Sequence, residues 1–213
     1  MWNDPVRGRA FVRVTAHALM FAGIFALGAC DATPYVSGPA PAPEHSFSTH
    51  AGATATAAGA GHFIDFLNPA IEWQFAFNAV QRKSSGEADG QYHFRGSLNG
   101  LAIDFHARVT CMITDPETGR TWLGGVVTQN RSELPPFSDG DIYQAGQPTW
   151  MRAADYGEGA GAPKPDRASR IFFTGSGGFL TAEEFCVSGF WPIADGVERI
   201  TSPLQNGNIQ VNH

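Results

Sequence analysis

Leu101 to Ile113 reads LAIDFHARVTCMI, an alternation that only an extended strand accommodates. Leu101, Ile103, Phe105, Ala107, Val109, Cys111 and Ile113 take one face, and Ala102, Asp104, His106, Arg108, Thr110 and Met112 take the other. Successive strand side chains point to opposite sides, so the first set is expected to face a core. Upstream, Ile71 to Gln81 (IEWQFAFNAVQ) repeats the pattern with Ile71, Trp73, Phe75, Phe77 and Ala79, and Gln91 to Arg95 places Tyr92 and Phe94 inward with His93 outward. Ser97-Leu98-Asn99-Gly100 and Asp115-Pro116-Glu117-Thr118-Gly119 are turn sequences, so neighbouring strands are expected to pair as antiparallel hairpins.

Downstream, Thr121 to Gln129 forms a strand whose Gly124-Gly125 pair predicts a bulge or bend. Thr149 to Asp155, Arg170 to Thr174 and Ile209 to Val211 are further strands, the last placed to close the sheet. Thr181-Ala182-Glu183-Glu184 matches a capping box and predicts a short helical turn before Cys186. The expected fold is all-β: an antiparallel barrel or a two-sheet sandwich of about seven or eight strands, with one short helical turn.

The first thirty residues read as an address. Arg7, Arg9 and Arg13 precede an uncharged run, Val14 to Ala29, that ends Leu27-Gly28-Ala29-Cys30. The run fits a cleaved secretory segment and is short for a bilayer-spanning helix of roughly 20 residues. Its end resembles the bacterial lipobox, which implies cleavage before Cys30 and acylation of that cysteine. Residues 1–29 are thus expected to be a signal peptide and 30–61 a flexible tether rich in Ala, Gly, Pro, Ser and Thr. Residues 62–213 are expected to form one β-rich domain. His45 and His50 fall in the tether as solvated spacer residues.

Lys and Arg number 14 against 20 Asp and Glu, a net charge of -6. Removing residues 1–29 takes Arg7, Arg9, Arg13 and Asp4 with it, which leaves 11 basic and 19 acidic residues and a net charge of -8. Such a chain lacks the basic surface that supplies affinity for nucleic acid or an anionic bilayer. Any attachment to the membrane is therefore expected to come from lipid, at Cys30, or from a partner. With Cys30 set aside, Cys111 and Cys186 are expected to pair, as two cysteines in an exported chain most simply do.

Searching for chemistry yields no His-Glu-x-x-His, P-loop or Gly-x-Ser-x-Gly sequence, and no cofactor is expected. One polar constellation stands out. Asp104, His106 and Arg108 share the outward face of one strand, and His93 falls on a neighbouring outward face. Such a group can bind a metal or an anion or do acid–base work, while its plainer use is a set of cross-strand polar pairs. Asp155 and Glu158, in a glycine-rich stretch, offer either Ca²⁺ ligands or the hydrogen bonds of their own turn, with Gly157 and Gly159 at positive φ.

Asp155-Tyr156-Gly157-Glu158-Gly159, followed by Ala160-Gly161-Ala162-Pro163-Lys164-Pro165-Asp166, resembles the D-N-G-E-G turn of an uncharacterised group of secreted bacterial β-modules related to post-COAP-1 domains. Strands around Phe75, Tyr92-His93-Phe94, Phe105-His106 and Gly124-Gly125 follow in similar order, across most of residues 70–211. Tyr156 stands where that group carries Asn, and Lys164 interrupts its Pro-Pro-Asp run. The resemblance implies a secreted β-fold and no particular chemistry. The expected function is a binding or structural module of the bacterial envelope rather than an enzyme. The alternatives are a small-ligand-binding barrel and an envelope hydrolase using Asp104 and His106.

Overall fold

The computed structural model describes residues 55–82, 87–158, 162–194 and 197–212. Cys30, His45, His50 and Gly159 lie outside them, as do the expected signal peptide and most of the expected tether. Among the described residues the chain is mostly β, with one α-helix, and no helix is long and apolar enough to cross a membrane.

A single curled antiparallel sheet forms a half-barrel. Five long strands form most of it: β1 (Thr56–Ile64), β2 (Glu72–Gln81), β3 (Glu87–Leu98), β4 (Leu101–Asp115) and β5 (Arg120–Asn130). Each pairs with the next. Then come β6 (Pro148–Ala154), the two-residue strands β7 (Arg167–Ala168) and β8 (Phe172–Phe173), and helix α1 (Ala182–Ser188). A separate small hairpin, β9 (Ile193–Ala194) and β10 (Val197–Glu198), precedes β11 (Ser202–Pro203) and β12 (Asn206–Asn212). The C-terminal β12 returns to pair with β1, at the opposite end of the sheet from β11.

The tight hairpin between β3 and β4 fixes the geometry of the rest. Asn99 and Gly100 both adopt positive φ, +54° and +81°, the conformation of a two-residue primed turn. Leu98 therefore faces Leu101, Arg95 faces Asp104 and His93 faces His106. At the next turn Asp115 accepts hydrogen bonds from Glu117 N and Thr118 Oγ1, and Gly119 takes φ +67°.

Two buried clusters flank the sheet. The concave side holds Phe63, Trp73, Phe75, Phe77, Phe94 and Phe105, among others. The convex side of β4–β6 carries Trp122, Trp150 and Trp191 against Phe185 of α1. This double coverage explains why Thr121 to Gly125 of β5 and Thr149 to Ala154 of β6 are buried at successive residues, unlike the alternating β2. Thr181 caps α1 through both halves of the expected capping box. The Cys111–Cys186 disulfide, with Cα atoms 6.3 Å apart, ties the helix to β4.

Three sequence expectations change. Cys111 is not on the concave face. Opposite Gly125 and Gly124 stand Val109 and Cys111, so Thr110 is an extra residue and the predicted bulge lies there. One inserted residue exchanges the faces of all that follow. Met112 accordingly enters the concave core and Cys111 the convex one. Gly124 is required by this arrangement, since a Cβ there would fall 2.6 Å from Cys111 Sγ.

The domain also begins earlier than residue 62. β1 starts at Thr56, so residues 56–61 belong to the fold and not to the tether. Close approaches at two positions of this strand leave room for glycine alone: a Cβ on Gly59 would lie 2.8 Å from the Ile209 and Phe77 side chains. A Cβ on Gly61 would lie 2.4 Å from the Asn206 carbonyl oxygen. Finally, the described strands exceed the expected seven or eight, because β7 to β11 are two-residue pairings.

Candidate functional site

The register of β3 and β4 assembles the outward-facing polar cluster. His93 and His106 are direct cross-strand partners, and their rings stack with centroids 3.9 Å apart and planes 13° from parallel. Asp104, two residues before His106, points to the same side. Its Oδ1 lies 2.9 Å from His93 Nε2 and 3.5 Å from His106 Nε2. Its Oδ2 lies 3.7 Å from Arg95 Nε.

The segment after β5 holds this part of β4 in place. Arg131 N donates to the Asp104 carbonyl, and Asp104 N donates to Ser132 Oγ. The Asp104 side chain is 14% exposed and those of His93 and His106 are 33% and 37% exposed, so the carboxylate forms the floor and the imidazoles the walls. Burial lowers the pKa of His106, and the neighbouring His93, Arg131 and Arg95 charges lower it further against the opposing pull of Asp104. The net effect favours the neutral imidazole of His106.

Of the four residues predicted for this cluster, the structure brings together His93, Asp104 and His106. Arg108 is exposed one step further along, opposite Gln91, and is not among the groups around Asp104. Arg95 takes that position instead. The hairpin register implied by Asn99-Gly100 would have identified it, because the same pairing that joins Leu98 to Leu101 sets Arg95 opposite Asp104.

Asp155 and Glu158 serve the fold. Asp155 Oδ1 accepts from Gly157 N at 2.8 Å, the predicted turn, and Gly157 has φ +98°. Asp155 Oδ2 reaches further and accepts from Val211 N at 2.9 Å. Glu158 accepts from the side chains of Asn208 and Gln210. Asp166, buried nearby, accepts from Tyr156 N at 2.9 Å and from Ile209 N at 2.8 Å. Alternate amides on the free edge of β12 are thus met by carboxylates instead of by another strand. Carboxylates in this role suppress the edge-to-edge pairing that open strands invite.

A second charged group lies at the far end of β5. Glu198, 8% exposed, is surrounded by Arg120, Lys164 and Arg167 at 3.4, 3.3 and 2.9 Å, and Tyr156 donates its hydroxyl to it. Burial raises the Glu198 pKa, but the Tyr156 hydrogen bond and the two cations Lys164 and Arg167 outweigh it, and the net displacement is downward. Sequence spacing gives no hint of this cluster, whose members are brought together from β5, β7, β10 and the segment between β6 and β7.

Among the described residues, the concave side carries the aromatic core. An open depression of about 340 Å³ over β1–β3 is lined by small and polar residues such as Ala58, Asn78 and Asp89, with no aromatic side chain. Trp122 and Trp150 lie in the convex core. Comparisons with protein-family models, curated proteins and solved structures return no match to this chain.

Proposed function

We propose that the chain is an exported lipoprotein of the bacterial cell envelope, anchored through acyl chains on Cys30, whose half-barrel binds through its outer polar face. One observation carries the choice of face: two imidazoles converge on a single oxygen of Asp104 on the side of the sheet away from the aromatic core. The lipobox-like Leu27-Gly28-Ala29-Cys30 supports the anchor. The Cys111–Cys186 bridge supports an address outside the cytoplasm, because disulfides persist in oxidising compartments. More than one acyl chain holds a domain on a bilayer far better than one alone, at about 0.8 kcal/mol per buried methylene.

The two alternatives have less support. A ligand-binding barrel needs a chamber, and the concave side is occupied by Trp73, Phe75, Phe94 and Phe105. A hydrolase built on Asp104 and His106 needs a cleft to exclude water, whereas the imidazoles that wall this cluster are 33% and 37% exposed.

Fractionation of a bacterial host expressing the full chain tests the proposal. Wild type should sediment with membranes and Cys30→Ala should be released. Cys111 and Cys186 should resist alkylation until reduced. Equal release of both forms, or free thiols in the folded protein, would remove the anchored or the exported part of the assignment respectively.

A further inference from the structure

We propose that His93, Asp104 and His106 form a binding site for a divalent transition-metal ion of the Zn²⁺ type on the outer face of the half-barrel. This rests on the outer face being the domain's binding surface, and adds what that surface takes.

The ligand geometry is in place. One nitrogen from each imidazole and one carboxylate oxygen all lie within 4.8 Å of one another. Zn²⁺ binds such atoms at roughly 2.0–2.2 Å, so two ligands of one ion stand about 3.4 Å apart in a tetrahedral site. The Nε2 atoms lie 2.9 and 3.5 Å from Asp104 Oδ1, so the donor atoms are close enough, and rotation of the two rings out of their stack aims both at one ion.

The backbone under these three residues is preorganised. His93 and His106 are opposed in a register set by the Asn99-Gly100 turn, and Asp104 is the diagonal neighbour on the same face. Sites built on strands hold their ligands more accurately than sites on loops. Arg95 at Asp104 Oδ2 and Ser132 at the Asp104 backbone supply the outer contacts that orient a ligating carboxylate.

Ligand type selects the ion. Two imidazoles and one carboxylate suit Zn²⁺, Cu²⁺ or Ni²⁺, whereas Ca²⁺ takes roughly six to eight oxygens. With only three side-chain ligands, partial exposure leaves the remaining position to water. Arg95, 64% exposed, and Arg131 add positive charge nearby, so binding should be weaker than at a closed site without cations beside it.

Zn²⁺ titration of the purified full chain by calorimetry, with Co²⁺ as the spectroscopic probe, tests this. His45→Ala/His50→Ala removes the tether histidines as competing ligands. The expected result is one Zn²⁺ per chain in wild type and in that background, with Co²⁺ showing the visible bands of a low-coordinate site. His93→Ala and Asp104→Asn should each weaken binding by roughly 100-fold or more, beyond the loss typical of an outer contact. Both variants should keep the wild-type circular dichroism and disulfide, which separates ligand loss from unfolding.

Binding that survives in His93→Ala/His106→Ala, or that vanishes with His45 and His50, would overturn the site. So would heat from inorganic phosphate with none from Zn²⁺, which would mark an anion site instead. An acylated chain that binds no Zn²⁺ would refute the metal and leave the lipoprotein standing. A metal-binding chain without lipid would do the reverse.

Discussion

Asp166→Ala should unlatch the C-terminal strand. Ile209 and Val211 present their amides to the free side of β12, while Asn208 and Gln210 face β1. Asp166 is 6% exposed and accepts the Ile209 amide with one oxygen and the Tyr156 amide with the other. Hydrogen bonds to an ionised acceptor contribute about 1.5–3 kcal/mol each, and a buried donor left without a partner costs a further 1–3 kcal/mol or so. Against this, burial raises the Asp166 pKa, so removing the carboxylate also relieves the cost of holding an ion there. The net loss should be about 3 kcal/mol, or roughly 6–12 °C in melting temperature for a domain of this size.

Urea or thermal unfolding measures the total, and amide hydrogen exchange locates it. Ile209 should lose protection in Asp166→Ala more than Val211 does, and Asp155→Ala should reverse that order. Asp166→Asn should fall between wild type and alanine, because the amide keeps an acceptor for one N–H and turns a donor toward the other. An Asp166→Ala protein melting within about 1 °C of wild type, with Ile209 still protected, would refute the latch.

Other perturbations have equally definite signs. Glu198→Gln should destabilise by about 3 kcal/mol at neutral pH by stranding Arg120 and Arg167. Because the folded pKa of Glu198 lies below its ordinary 4.5, its contribution is complete above that pH and is lost as pH falls through the folded value. The gap between wild type and Glu198→Gln in pH-dependent unfolding should therefore close in acid, and a gap that widens would contradict the ion cluster. Cys111→Ala/Cys186→Ala opens a covalent loop with a sequence separation of 75. Chain entropy sets the loss at about 4.5 kcal/mol, read as a lower urea midpoint, and an unchanged midpoint would show that the bridge adds no constraint.

The strand that begins at Leu101 was legible because one of its faces meets a core and the other does not, and the same holds for β2. Legibility ended where that condition ended. β1 is built largely of Ala and Gly, with close approaches at Gly59 and Gly61 that leave no space for a Cβ, so its first six residues carry no periodic signal and resemble a linker. Beyond Thr110 the alternation in the sequence continues while the faces in space exchange, and only the partner strand's Gly124-Gly125 pair marks the change. The disulfide pairing was accessible because only two cysteines remain once Cys30 is set aside for lipid, and on the expectation of export they most simply pair.

The outer cluster was legible to the extent that it is local. His93, Asp104 and His106 belong to one hairpin whose turn fixes their pairing, so three of the four expected members meet. Arg108 dropped out by one step of register, and Arg95 came in by the same rule. The carboxylate contacts to β12 and the Glu198 cluster join residues 31 to 78 positions apart, and no local pattern encodes such contacts. The glycine-rich stretch at Asp155 showed its turn in the sequence, but not the strand edge that the turn reaches.

The intact mass of the chain extracted from bacterial membranes tests the envelope assignment most directly. It should correspond to residues 30–213, increased by acyl groups and a glyceryl thioether on Cys30 and lowered by the two hydrogens lost to the Cys111–Cys186 bridge. A mass that retains residues 1–29, or one that starts at residue 30 without lipid, would contradict it.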